Sequence, residues 1–154
     1  MDTLRTPVVL DSNVVLDVFV FKDPVARALE LALGAGKIEW LATAAMRDEL
    51  ARVLGYPKIV ARLALQQLDA AGVLAQFDAL ARLVAVAGKA GVTCRDPDDQ
   101  KFIDLAVAHH CLLLSKDNAL LCLARRLAAL GVQVRTPHCL QRMPSGAVAL
   151  THDA

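Results

Sequence analysis

The chain has 154 residues, 56% of them Ala, Val, Ile, Leu, Met, Phe, Trp, Tyr or Cys but only 4% aromatic. One domain of this size can bury a proper core, built here mainly from Ala, Leu and Val. The 17 bases and 16 acids leave a formal charge of +1. That excludes a global field for a polyanion, so an anionic substrate has to be drawn by a local patch or a bound cation.

Cys94, Cys111, Cys122 and Cys139 form no C-x-x-C pair and have no histidines at zinc-finger spacing. The expectation is therefore reduced, mostly buried thiols of a cytosolic protein. The stretch "MDTLRTPVVLDSN" meets acids too early for a signal peptide. No apolar run approaches the roughly 18 residues of a membrane span. A soluble, cytoplasmic protein follows as the expectation.

In chain order, "PVVL" (7–10) reads as a short buried strand opened by a proline. Residues 24–34 form a helical pattern with proline in the first turn and glycine at the end. "KIEWLA" has strand character. "TAAMRDELARVLG" then predicts a helix capped by Thr43 and stopped by Gly55. Two Ala- and Leu-rich helices are predicted at 57–71 and 73–82, divided by Gly72.

A short strand is expected at Val84–Ala87, before a glycine-broken loop. "DPDDQKFIDLAVAHH" predicts a helix opened by acids, which complement its dipole. "CLLLS" follows as a buried strand, with a turn at Ser115–Asn118 and a helix stopped by Gly131. "VQVRTP" closes the set as an edge strand, giving one domain over 1–140 and a tail over 141–154. Strands alternating with helices predict a three-layer α/β/α sandwich with a central, mostly parallel sheet.

Asp11 directly follows the first strand and Asp117 follows "CLLLS". In a parallel sheet both carboxyl ends face one edge, where ligands bind in open α/β folds. Asp99 reaches that edge if the topology cooperates, and Glu49 in "RDELARVL" is a fourth candidate, with Asp48 competing for its role. Each acid also has a plain structural reading. Asp117 caps a helix, Glu49 is a solvated helix acid, and Asp96, Asp98 and Asp99 are a solvated cap cluster. Asp11 resists that treatment, because a carboxylate behind an apolar strand is costly unless paired or metal-bound.

Carboxylates forced together raise one another's pKa, and a divalent cation relieves the repulsion. Mg²⁺ prefers carboxylate oxygen and keeps several waters. Phosphoryl chemistry is the corresponding function: the cation activates water and neutralises phosphate and leaving oxygens. No histidine is needed. His109 and His110 close a helix, while His138 and His152 lie near or in the tail.

The segments "VVLDSNVVLDVF", "RDELARVL" and "CRDPDDQKFIDLAVAHHCLLLSKDNALL" resemble a PIN domain, and more narrowly the bacterial toxin components of toxin–antitoxin systems. The similarity runs from about residue 7 to 136. It implies a Rossmann-like sandwich and Mg²⁺- or Mn²⁺-dependent cleavage of RNA, leaving 5′-phosphate and 3′-hydroxyl ends. Carried over by position, the family's four acids match Asp11, Glu49, Asp99 and Asp117. Which of Asp98, Asp99 and Asp104 is the main third acid stays open. Asp104 lies about 140° around an ideal helix from Asp99, which makes it a supporting or weaker metal residue. Asn13 and Ser115 fall at the family's supporting polar positions.

RNA affinity would come from local bases, with Arg47, Arg52, Lys58, Arg62, Lys101 and Lys116 as candidates beside their reading as solvated surface. The resemblance also implies a homodimer and an antitoxin partner. The resulting expectation is a metal-dependent ribonuclease. Two rivals accompany it. One is a haloacid-dehalogenase-like phosphatase, for which "DSNVV" carries Asn13 where a second Asp is required. The other is a PIN-like module that binds RNA or protein without cutting.

Overall fold

The computed structural model describes residues 5–142, with side chains described through 139. Five strands alternate with eight α-helices among these residues: β1 Thr6–Leu10, α1 Ser12–Phe19, α2 Arg27–Gly34, β2 Ile38–Ala42, α3 Ala44–Leu54, α4 Pro57–Leu65, α5 Ala70–Leu80, β3 Ala81–Leu83, α6 Gln100–His109, β4 Leu112–Leu114, α7 Asn118–Leu121, α8 Ala124–Ala128 and β5 Val134–Arg135. Short 3₁₀ turns precede α2 and α6, and a third covers Pro137–Arg142. Residues 143–154 of the predicted tail, with His152, lie outside the described residues.

The sheet is parallel throughout, in the order β3-β2-β1-β4-β5. Right-handed crossovers then put the helices between β1 and β3 on one face and α6 to α8 on the other. The result is an α/β/α sandwich whose direction of winding reverses between β1 and β4. Those two strands pair Val8 with Leu112, Val9 with Leu113 and Leu10 with Leu114. All six residues are at most 2% exposed, as strands covered on both faces must be. On the first face Trp40 stacks on Phe19 at 5.8 Å and meets the edge of Phe77 at 4.8 Å, tying β2 to α1 and α5.

Several predicted elements differ from those observed. Residues 12–19, given no element in the sequence, form α1, where everything from Val14 to Phe19 is buried. A helix buried all round shows no 3.6-residue alternation to read. Gly72 does not divide two helices: it sits in the first turn of α5, its N–H donating to the Asp69 cap at 2.8 Å. The break comes at residues 66–69, where Gln67 turns to φ 57°. The third strand is Ala81–Leu83 rather than 84–87, the predicted 24–34 helix begins with a 3₁₀ turn, and the last helix is split at residues 122–123. The edge strand shrinks to Val134–Arg135.

All four cysteines are free. Cys94 and Cys111 are buried and Cys139 is half-buried, but Cys122 is exposed. Burial pushes the Cys111 thiol up to about 12. Among the described residues no helix is long and apolar enough to cross a membrane.

Candidate active site

Asp11 leaves the carboxyl end of β1, and its N–H donates to Leu114 O of β4 at 3.2 Å, continuing the ladder by one bond. Its side chain is 2% exposed. One oxygen, Oδ1, accepts from Val14 N at 2.9 Å and caps α1. The other, Oδ2, accepts from the hydroxyl of Ser115. Ser115 is fully buried, and its Oγ also accepts the N–H of Asp117 at 2.9 Å. One hydroxyl therefore joins the acids that end β1 and β4, although 106 positions separate them in sequence. Asp117 in turn caps α7 through Ala119 N at 2.9 Å. Capping and site-building coincide in both acids: Asp11 gives one oxygen to α1 and the other to Ser115, and Asp117 gives one to α7.

Carboxylate oxygens of Asp96, Asp99 and Asp117 lie within 4.8 Å of one another. Asp99 Oδ2 is buried with no hydrogen-bond partner, alone in this among the side chains described. Such an orphan is costly without a proton or a cation. In the metal-free protein proton binding is strengthened there: burial, then the hydrogen bond and charge of Asp117, then the charges of Asp96 and Asp11, push Asp99 up to about 7. Burial also raises Asp11, partly offset by its bonds from Ser115 and Val14. The donor set is all carboxylate oxygen, which suits a hard divalent cation such as Mg²⁺ or Mn²⁺. The residues present fit such an ion.

Glu49 reaches the same edge from α3. Its Oε1 accepts from Ser12, the residue after Asp11, and its Oε2 accepts from Lys101 Nζ at 2.6 Å. Burial opposes its ionisation, but Lys101 and Ser12 outweigh it and hold the carboxyl below its usual range. Lys101 also donates to Asp98 O, whereas the Asp98 side chain is exposed, as is Asp48. Asn13 is exposed in the first turn of α1. Asp104 Oδ1 accepts from Ala90 N at 2.9 Å and Gln100 Nε2 at 2.8 Å. Gln100 bonds Cys94 N and Val92 O, so this pair staples the loop that leads to Asp96.

Two acids stand out beyond the four matched by resemblance. Asp96 reads in sequence as a cap, and it does cap the 3₁₀ turn through Asp98 N at 3.0 Å, yet it also faces Asp99 and Asp117. Its signal is the D-P-x-D spacing. Asp17, 7% exposed on α1, is paired with Lys116; only a lone acid inside "VVLDVF" marked it.

Most candidate bases already hold partners. Arg47 is bidentate to Asp78 at 2.7 and 2.8 Å, Arg62 covers the Phe21 ring, Lys101 holds Glu49 and Lys116 holds Asp17. Arg52 and Lys58 are exposed.

The family model described as PIN domain matches residues 7–119. That span covers about three quarters of the chain and takes in Asp11, Glu49, Asp96, Asp99, Asp104, Ser115 and Asp117. No curated protein matches the chain.

Proposed function

The chain belongs to the PIN-domain family, whose members are typically nucleases, and from that premise we propose that it is a metal-dependent endoribonuclease. The observation that carries the reading is the orphaned Oδ2 of Asp99, on a carboxylate clustered with Asp96 and Asp117. Ligands of open α/β sheets bind where the winding reverses, as it does here between β1 and β4.

In this reading Asp11, Asp96, Asp99 and Asp117 hold a Mg²⁺ or Mn²⁺ ion directly or through water, and Glu49 completes the acidic rim. The ion, when bound, supplies an activated water and charge neutralisation at the phosphate. The chain's own residues set the geometry. Ser115 fixes the relative positions of Asp11 and Asp117 through its shared hydroxyl. Lys101 and Ser12 hold Glu49 ionised at the rim, and Asp104 braces the loop that presents Asp96. Asn13, exposed in the first turn of α1, is the supporting polar residue in this reading.

The resemblance to toxin components extends the proposal to a cytoplasmic toxin, a homodimer in solution, neutralised by an antitoxin that covers the acidic edge. The phosphatase alternative, which needs an acid where Asn13 stands, gains nothing from the family match. The non-catalytic module, in its protein-binding form, has one observation in its favour: four of six candidate bases already hold partners within the chain.

The deciding experiment is cleavage of a mixed pool of labelled RNAs by wild type and Asp11→Asn, in Mg²⁺, Mn²⁺ or EDTA. Metal-dependent cleavage lost in the variant is the expected result. RNA binding without cleavage by either protein, across varied substrates, would favour the module instead.

A further inference from the structure

Asp17 is a carboxylate at 7% exposure on a helix whose neighbouring residues, Val14 to Leu16 and Val18 to Phe19, are all buried and apolar. Burying a charge there is expensive and calls for a partner. The partner is Lys116 Nζ. Lys116 stands between Ser115, which holds Asp11, and Asp117, which faces Asp99. Its side chain remains 43% exposed, so the flexible stem has room to swing. An ammonium on such a stem, next in sequence to Asp117 and with its charge already felt by the Asp11 carboxyl, is a built-in competitor for any cation at that edge.

We propose that Asp17 is a positioning residue that holds the Lys116 ammonium in an ion pair, short of direct contact with Asp11 and Asp117, and so keeps those carboxylates open to a divalent cation. This rests on the reading of that edge as a cation site. It also assigns Lys116 a role other than contact with RNA phosphate. In Asp17→Asn the ammonium loses its anchor and turns to the nearest uncompensated carboxylates, displacing the metal.

Mn²⁺ titration calorimetry on the full chain separates this from a plain structural brace. Asp17→Asn weakens Mn²⁺ binding about tenfold, Lys116→Met alone changes it less than about twofold, and the double variant returns to within about twofold of wild type, a non-additive cycle. Asp17→Glu, which keeps the charge, retains wild-type affinity. A double variant as weak as Asp17→Asn would make the pair a brace and overturn the proposal. So would equal and opposite shifts in the two single variants, since they would report only a diffuse field. Asp17→Ser serves as a second neutral variant, and failure of both to fold would leave Asp17 purely structural. No Mn²⁺ binding by wild type would remove the cation-site reading and this inference with it.

Discussion

Replacing Asp99 by Asn takes one charge from the most crowded point of the carboxylate edge at constant volume. Asp99 Oδ2 has no hydrogen-bond partner, so the new amide breaks no bond there and donates to Asp117 instead. In the metal-free protein Asp99 is raised from 3.8 to about 7, by burial first and by Asp117 next. An acid raised in the folded state binds its proton more tightly there than in the unfolded chain. Stability is therefore lost as pH rises from about 4 to about 7, and the loss is complete above that. At 1.36 kcal/mol per pKa unit the shift corresponds to about 4 kcal/mol. Solvent screening at an open edge reduces this to about 2 kcal/mol.

For a chain of this length that is a difference in melting temperature of roughly 4–8 °C. Thermal melts in EDTA should show Asp99→Asn above wild type by that margin at pH 8, with the two curves meeting as pH falls to about 4. The Glu49 carboxyl, held below its usual range by Lys101 and Ser12, is common to both proteins. Saturating Mn²⁺ should reverse the order by stabilising wild type alone. A variant that melts lower than wild type at pH 8, or an offset that does not change with pH, would refute the account of Asp99.

Three further outcomes follow from the same geometry. Mn²⁺ at a hundred times its Kd should stabilise wild type by about 2.7 kcal/mol, whereas Asp11→Asn should keep its fold by circular dichroism and show no such shift. Asp104→Ala leaves Ala90 N–H and Gln100 short of a partner. It should cost about 1–3 kcal/mol in urea unfolding and speed proteolysis at 84–95; a fall in Mn²⁺ affinity beyond that would place Asp104 at the cation itself. Arg47→Ala should leave the slope of RNA binding against salt unchanged, because Asp78 already holds the guanidinium. A slope reduced by about one would instead mark a phosphate contact.

The sheet was legible because β1, β2 and β4 are short apolar runs that stop at polar residues. The α3 helix was legible through Thr43 and Gly55 at its ends. Helix α1 was not, since its start signal is Asp11 itself, and an acid read as a ligand is easily missed as a cap. The α4–α5 break was misplaced because glycine outweighs glutamine as a local signal, yet here Gln67 adopts the left-handed turn and Gly72 the helix. At the site, Asp11 and Asp117 were legible as acids after strands. Asp96 and the Asp17–Lys116 pair were not, for their roles depend on contacts across 21 and 99 positions of chain. No local pattern encodes those distances.

The strand order also bears on when the acidic edge can exist during synthesis. β1 leaves the ribosome first but sits at the centre of the sheet, and its β4 neighbour is residues 112–114. Asp11 thus waits for more than a hundred further residues before Ser115 and Asp117 reach it, and closing so long a loop is slow. Nascent and truncated chains carry Asp11, Glu49 and Asp99 without the edge that unites them. Cation binding in a refolding experiment should accordingly appear as a late event, after α1 to α5 have packed on β1 and β2.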